Sequence, residues 1–231
     1  MRSRARTRAG DHARDVALLA VPLLGSVLVA LASRREGLYR LLVREDAVLE
    51  WAQVTAYVAV LVLAILGVPR LWGAGDRTAA VVVVALAAAA LVSVGEELAW
   101  GQRIVGFDAP GAFADNRQGE ATLHNEPGLD TVSHVVLLLA GVYGTVMPLV
   151  VRRPTPLVPP RALVGFFAVV AAYFAARLLG LRHPTYIEAK YSEWPELCLA
   201  GATAAWCASL ARRRPRERAR AGAVAGGLHQ L

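Results

Sequence analysis

The side chains most capable of chemistry in this sequence gather around one aspartate and one histidine. Asp130 and His134 are spaced i, i+4, which places two side chains on the same face of a helix. A carboxylate in that relation can orient an imidazole that acts as a general base, or the pair can complete a metal site. His124 precedes them in the chain. The spacing matches no HExxH motif, so structural histidines are the alternative.

Two adjacent carboxylates, Glu96 and Glu97, end an apolar stretch and are closely followed by Trp100. Carboxylates near the lipid boundary are costly to desolvate, so they tend to face a bundle interior or a wet cavity. Adjacent residues lie about 100° apart around a helix, so one of the two points inward and the other sideways. We favour Glu97 as the inward residue, although the sequence does not decide between them.

Further carboxylates stand at the starts of two other apolar stretches. Glu193 and Glu196 fall in the first turn of the last stretch, where the helix dipole favours negative charge. Helix capping accounts for one of them, and Glu196, which lies deeper, is the better site candidate. Glu50 stands beside Trp51 at the start of the second stretch. A solvated helix start is the alternative there.

Arg177 is the natural counter-ion for these carboxylates. It lies about one turn inside the end of its apolar stretch, with Tyr173 four residues earlier on the same face. We expect a salt bridge from Arg177 to a carboxylate at the end of a span. The alternative is an arginine whose side chain extends to the lipid headgroups.

The elements that must position these residues are long apolar helices. Hydrophobic residues make up 56% of the 231 residues, a composition typical of membrane proteins. Six stretches reach or approach the roughly 20 residues that span a bilayer. The predicted fold is an all-α polytopic bundle of about six transmembrane helices, over residues 16–32, 51–71, 78–97, 132–151, 162–181 and 193–211.

The placement of arginine predicts the topology. The formal charge is +7, but the basic residues flank apolar stretches instead of interleaving with aromatics, so we expect no nucleic-acid partner. With both termini cytoplasmic, sixteen Lys and Arg fall in cytoplasmic segments and eight in the opposite loops. We predict a basic cytoplasmic N-terminus over 1–15, a bundle over 16–211 and a basic cytoplasmic tail over 212–231, in the inner (plasma) membrane.

A cleaved signal peptide at the N-terminus is the alternative, because Ala30 and Ala32 are small residues of the kind found at a cleavage site. The protein would then have five spans, and every loop would stay on the same side of the membrane.

The acidic residues are distributed just as unevenly. Fourteen of the eighteen Asp and Glu fall in the outer loops or at the outer ends of spans. Because acidic residues contribute little to topology, this asymmetry indicates a functional or packing role, with an acidic solvated surface as the alternative. The site candidates form one shallow layer, and the inner halves of the spans carry almost no ionisable group.

Small residues predict where helices approach each other closely. The stretch 78–91 is rich in Val and Ala, and Gly141 and Gly144 lie one turn apart in the fourth span. Both features indicate close helix packing.

The segment Glu96-Glu97-Leu98-Ala99-Trp100-Gly101-Gln102-Arg103 is followed by Gln118, Glu120 and Leu123-His124-Asn125. This pattern resembles a signature in a family of uncharacterised bacterial polytopic membrane proteins. The acidic residues before Trp51 and the Glu-rich start of the last span are similar too, so the resemblance covers much of the chain. Ala47 stands where the family pattern has Gly. The resemblance implies candidate positions and no reaction.

Our first functional hypothesis is a membrane-embedded hydrolase or transferase that acts on a lipid or lipid-linked substrate at the extracytoplasmic interface, with membrane lipids as its partners. Its candidate acids, bases or metal ligands are Glu96, Glu97, His124, Asp130, His134 and Glu196. Its candidate substrate-binding residues are Glu50, Arg103, Gln118, Glu120, Asn125, Tyr173 and Arg177, with Arg103 and Arg177 on an anionic headgroup. If a divalent metal is bound, Glu97, His124 and His134 are its candidate ligands.

Two other classes of function remain open. An ion- or proton-coupled transporter or channel would use the carboxylates and Arg177 as a relay. A nonenzymatic subunit of a membrane complex would bind a partner through residues 98–131. The absence of ionisable groups from the inner halves of the spans counts against transport.

Overall fold

A computed structural model describes residues 18, 20–43, 47–108, 111, 120–123, 129–151, 153–181 and 190–212. These residues form helices and include no strand, which confirms the all-α class. A helix lies over each of the six apolar stretches. The helices are α1 (Ala20–Ala32), α2 (Glu36–Val43), α3 (Val48–Gly73), α4 (Arg77–Glu97), α5 (Gln102–Val105), α6 (Leu129–Val150), α7 (Val164–Leu178) and α8 (Glu193–Ala211).

Four helical stretches of the described residues are long and apolar enough to cross a membrane. The first lies within Glu36–Gly73 and includes α3, and the others are Arg77–Glu97, Leu129–Val150 and Arg161–Leu178. Helix α1 is apolar but shorter, and α8 has 19 residues with two glutamates in its first turn. The structure therefore supports a membrane protein with four candidate spans, while the count of six and the side of the termini stay predictions.

Helix α3 lies at the centre of the bundle, packed against α4 on one side and α8 on another, while α6 packs on α7 and α7 on α8. Val60, Val83 and Ala200 are completely buried in the core these helices share. Large apolar side chains such as Ile65 and Leu139 point outward and are mostly exposed. Apolar residues on both the inner and outer faces are what a helix bundle in lipid requires.

Two glycines allow a close approach of two helices, as the sequence predicts. A Cβ atom on Gly141 would lie 2.5 Å from the backbone nitrogen of Ala171, and one on Gly144 would lie 2.1 Å from the ring of Phe167. Helix α6 therefore contacts the backbone of α7 at Gly141 and the Phe167 ring at Gly144. Helix α4 packs similarly through small residues, because Ala79, Ala80 and Ala90 are fully buried.

The beginnings of α3, α6 and α8 and the ends of α4 and α7 meet at one end of the bundle. We call this end, with the short helix α5 and residues 120–123 beside it, the charged end. Below it, the buried residues of α3 from Val60 to Leu71 are all apolar or glycine. The charged end is therefore where the polar chemistry of the described chain is concentrated.

Candidate functional site

An arginine held by two carboxylates organises one side of the charged end. Arg103 Nε donates to Glu120 Oε1 at 3.0 Å, and its Nη2 donates to Glu120 Oε2 at 3.2 Å. The remaining amino group, Nη1, donates to Glu50 at the start of α3. Two parallel bonds to one carboxylate are the strong, geometrically specific form of an Arg–carboxylate pair. Arg103 thus ties α3, α5 and the segment 120–123 together.

This ion-pair network is largely removed from solvent. The side chains of Arg103, Glu50 and Glu120 are only 20%, 9% and 19% exposed. Burial alone would lower the pKa of the Arg103 guanidinium, but the hydrogen bonds and charges of Glu120 and Glu50 outweigh it, and the pKa stands above its ordinary value. Arg103 is therefore a permanent cation whose charge is already compensated. Its predicted contact with an anionic substrate stays a prediction.

A left-handed turn brings Arg103 into this position. Ala99, Trp100 and Gly101 have φ values of 45°, 52° and 95°, in a region that L side chains adopt at a cost of roughly 1–2 kcal/mol each. The turn folds the Trp100 ring over Gly95, where a Cβ atom would lie 2.9 Å from the ring. Trp100 Nε1 also donates to Glu96 Oε1 at 2.8 Å. The chain therefore reverses tightly after α4 and directs α5 back across the charged end.

Two more side chains of this segment hold residues 120–123 in place. Glu96 Oε2 accepts from the backbone nitrogen of Leu123 at 2.8 Å, and Gln102 Oε1 accepts from that of Ala121 at 2.8 Å. Thr122, between them, is completely buried. Glu96 is thus engaged in loop structure.

A second polar group lies between α3, α4 and α8, one to two helical turns further along α3 than Glu50. Gln53, fully buried, donates from Nε2 to Glu193 Oε2 at 2.9 Å and to the Glu193 carbonyl at 3.2 Å. Tyr57, one turn further along α3, interacts with Ser93 and lies within electrostatic range of Glu97 and Glu196. Glu97 thus lies within electrostatic range of a buried phenol, while Glu96 bonds to Trp100 and Leu123, and the inward orientation of Glu97 stays a prediction.

A third group occupies the start of α6 and the end of α7. His134 lies within electrostatic range of both Arg177 and Asp130, and its ring packs against Phe174 with centroids 5.4 Å apart. Tyr173 meets the edge of the same phenylalanine at 5.1 Å. Arg177 forms no salt bridge with any described residue, so the partner expected at the end of a span is not among them. An imidazole, a carboxylate and an arginine are brought together here.

Beside this third group, a cavity of about 390 Å³ opens between α1, α7 and the start of α8. Apolar side chains form most of its wall, and Tyr173, Arg177 and Tyr191 provide its polar groups. Trp194 forms part of the wall and is fixed by hydrogen bonds from Nε1 to Ser26 Oγ and the Pro22 carbonyl, both 3.1 Å. This volume lies within the roughly 300–1,000 Å³ typical of small-molecule sites.

Comparison with known protein families, curated proteins and solved structures found no match to this chain. Its function must be inferred from the groups just described.

Not every predicted site residue can be placed. Gln118, His124 and Asn125 lie outside the described residues. Within the described ranges, no three His, Cys, Asp or Glu side chains are grouped so that they could hold a metal ion. The suggested metal ligands Glu97 and His134 belong to different polar groups, and the third, His124, is one of the residues not described.

The sequence interpretation missed Gln53. Glu50, Gln53 and Tyr57 are spaced i, i+3, i+7, and all three are buried on one face of α3. Three polar residues at helical spacing in an apolar stretch are a signal that was available in the sequence, because they must share one inward face.

Proposed function

We propose that this chain is an integral membrane enzyme, a hydrolase or transferase, that acts on a lipid or lipid-linked substrate. The observation that supports it best is the position of Arg177, which lines an apolar cavity and lies within electrostatic range of His134. A substrate with an apolar tail and an anionic headgroup fits these surroundings, because the tail requires the cavity and the headgroup requires the cation.

The chemistry proposed for this group follows from its residue types. Asp130 lies one turn before His134 and within electrostatic range of it, and it would orient the imidazole and stabilise its protonated form. His134 would take a proton from a water or hydroxyl as its oxygen forms a bond to the headgroup ester. The ester bond to the leaving alcohol would break, and the imidazolium would return the proton to that alcohol. Arg177 would hold an anionic oxygen of that headgroup and stabilise the charge that develops on it.

We further propose six spans with both termini in the cytoplasm, which places the charged end at the outer interface. The support is the distribution of arginine, sixteen Lys and Arg against eight. Phosphatase and fluorescent-protein fusions after Gly73, Gln118 and Pro156 test it. Fluorescence at Gly73 and Pro156 with phosphatase activity at Gln118 is expected. Phosphatase activity at Gly73 would contradict the proposed topology.

Transport is less well supported. The polar residues of α3 end at Tyr57, and the buried residues that follow it toward the other end are Val60, Ala64, Gly67 and Leu71. A relay for ions or protons needs polar groups or water along the whole path. The described part of α3 provides them only in its first third.

The enzyme hypothesis is tested with the purified full chain in vesicles of mixed bacterial lipids, with products followed by mass spectrometry. His134→Gln should reduce turnover by about 100-fold or more, the usual contribution of a general base. Asp130→Asn should reduce it by a smaller factor, because the imidazole remains. Val136→Ala, on the exposed face of the same helix, is the matched control.

The accumulation of each variant separates catalysis from folding. The enzyme hypothesis expects His134→Gln to reach the same level in the membrane as the parent protein. If that variant accumulates normally and lipid products are unchanged, or if it fails to insert, His134 has a structural role and the enzyme hypothesis is wrong.

A further inference from the structure

The cavity beside Arg177 has the shape of a groove for a single chain. On α7 its wall is formed by Val169, Ala172, Tyr173, Ala176 and Arg177, which recur at i, i+3, i+4, i+7 and i+8. This spacing marks one continuous face of a helix, and the eight steps from Val169 to Arg177 cover about 12 Å at 1.5 Å per residue. The groove therefore runs along the helix axis.

Helix α1 supplies the opposite wall in the same way. Leu23, Ser26, Val29 and Ala30 line the cavity at helical spacing, so α1 and α7 border it over several turns. The Ser26 hydroxyl is already engaged, because it donates to the Pro22 carbonyl at 2.8 Å and accepts from Trp194. The long walls thus present an apolar surface along most of their length.

The polar groups of the cavity are all at one end. Arg177 and Tyr173 lie on the last turns of α7, and Tyr191 lies just before α8, where its ring packs on Tyr39 at 5.6 Å. No described carboxylate forms a salt bridge with Arg177. A groove that is apolar along its length and cationic at one end is complementary to an amphiphile whose headgroup is an anion.

We propose that this groove binds one acyl chain of an anionic phospholipid, with the lipid phosphate on the Arg177 guanidinium. The inference rests on the proposed function and names its substrate class. The acyl chain would lie along Val169 and Ala172, opposite Leu23 and Val29. Arg177, which lines the groove and lies within electrostatic range of His134, would hold the phosphate on the side of α7 that bears the cavity.

Native mass spectrometry of the full chain, released from nanodiscs, tests the inference. The probes are phosphatidylglycerol and phosphatidylcholine with identical acyl chains, so that only the headgroup charge differs. We expect the parent protein to retain phosphatidylglycerol preferentially. Arg177→Gln should reduce that preference about tenfold, the loss expected for one charge-assisted hydrogen bond. Arg153→Gln, an exposed arginine on the loop between α6 and α7, should leave the preference unchanged.

A second variant tests the chain site independently of charge. Ala172 faces the groove and is itself exposed, so Ala172→Trp fills the groove with little disturbance of the core. It should reduce retention of both lipids. If the parent protein retains the two lipids equally, if neither variant changes retention, or if a second copy of the chain replaces the lipid, the inference is overturned.

The two proposals fail in different ways. A protein that binds phosphatidylglycerol through Arg177 but forms no product, with or without His134, refutes the enzyme hypothesis alone. Turnover that needs both His134 and Arg177 but is unaffected by Ala172→Trp, with lipid retention unchanged in that variant, refutes the groove alone.

Discussion

Arg103 and Arg177 are both half-buried arginines at the charged end, yet their surroundings differ sharply. Arg103 donates to two carboxylates from two separate segments of the chain. Arg177 has no such partner among the described residues and lines an apolar cavity beside a histidine. A cation bound by two carboxylates joins segments of the protein, whereas a cation that lines a cavity is a candidate for ligand binding. The comparison separates a structural region from a candidate binding region.

The largest effect is expected from removing the compensated cation. Arg103→Leu removes the cation that both Glu50 and Glu120 bind at a largely buried position, which should cost about 3–5 kcal/mol of folding stability. Thermal unfolding in detergent, followed by circular dichroism, should show a melting temperature lower by roughly 10 °C. The control is Arg40→Leu, whose pair with Glu36 is largely exposed and contributes less than about 0.5 kcal/mol. Equal effects of the two changes would refute a structural role for Arg103.

A smaller loss is expected from straining the turn that positions Arg103. Gly101 has a φ of 95°, so Gly101→Ala should cost about 1–2 kcal/mol, although no atom lies within 4 Å of the added Cβ. Gly37→Ala is the matched control, because Gly37 lies in α2 with equally open space and ordinary helical geometry. That control should gain up to about 1 kcal/mol. A Gly101→Ala protein as stable as the parent would show that the left-handed turn does not position Arg103.

The smallest change in stability is expected from Arg177, for which the described residues provide no salt bridge. Arg177→Gln breaks no salt bridge with a described residue, so its folding stability should fall by less than about 1 kcal/mol. The same thermal unfolding measurement applies, in detergent free of added phospholipid. A loss as large as that of Arg103→Leu would remove the distinction between the two arginines and assign both to the scaffold.

The general architecture of the chain was accessible from the sequence because it depends on short-range patterns. Apolar stretches of helical length predict the helices, and Gly141 and Gly144 predict the close approach of α6 to α7, which the structure confirms. Both inferences need only local composition and spacing. The membrane topology and the enzyme hypothesis stay predictions.

The sequence did not predict which charged residues form ion pairs with each other. Arg177 was expected to bind a carboxylate, and Arg103 was expected to bind a substrate. Of these two arginines, it is Arg103 that forms salt bridges with carboxylates of the described residues. Glu50 and Arg103 are 53 residues apart, and the left-handed turn that unites them involves Ala99 and Trp100, which are not residues that favour such a conformation. Periodicity places residues on helix faces, but it contains no information about how a loop returns across the end of a bundle.

The turn after α4 also bears on the order in which the protein assembles. Its bond from Trp100 to Glu96 joins residues four apart, so it can close as soon as that piece of chain has left the ribosome. The bond from Gln53 to Glu193 spans 140 residues and must wait for the last helix. We therefore expect a nascent chain that ends after α5 to form the Trp100–Glu96 bond already, while Gln53 stays accessible until α8 arrives.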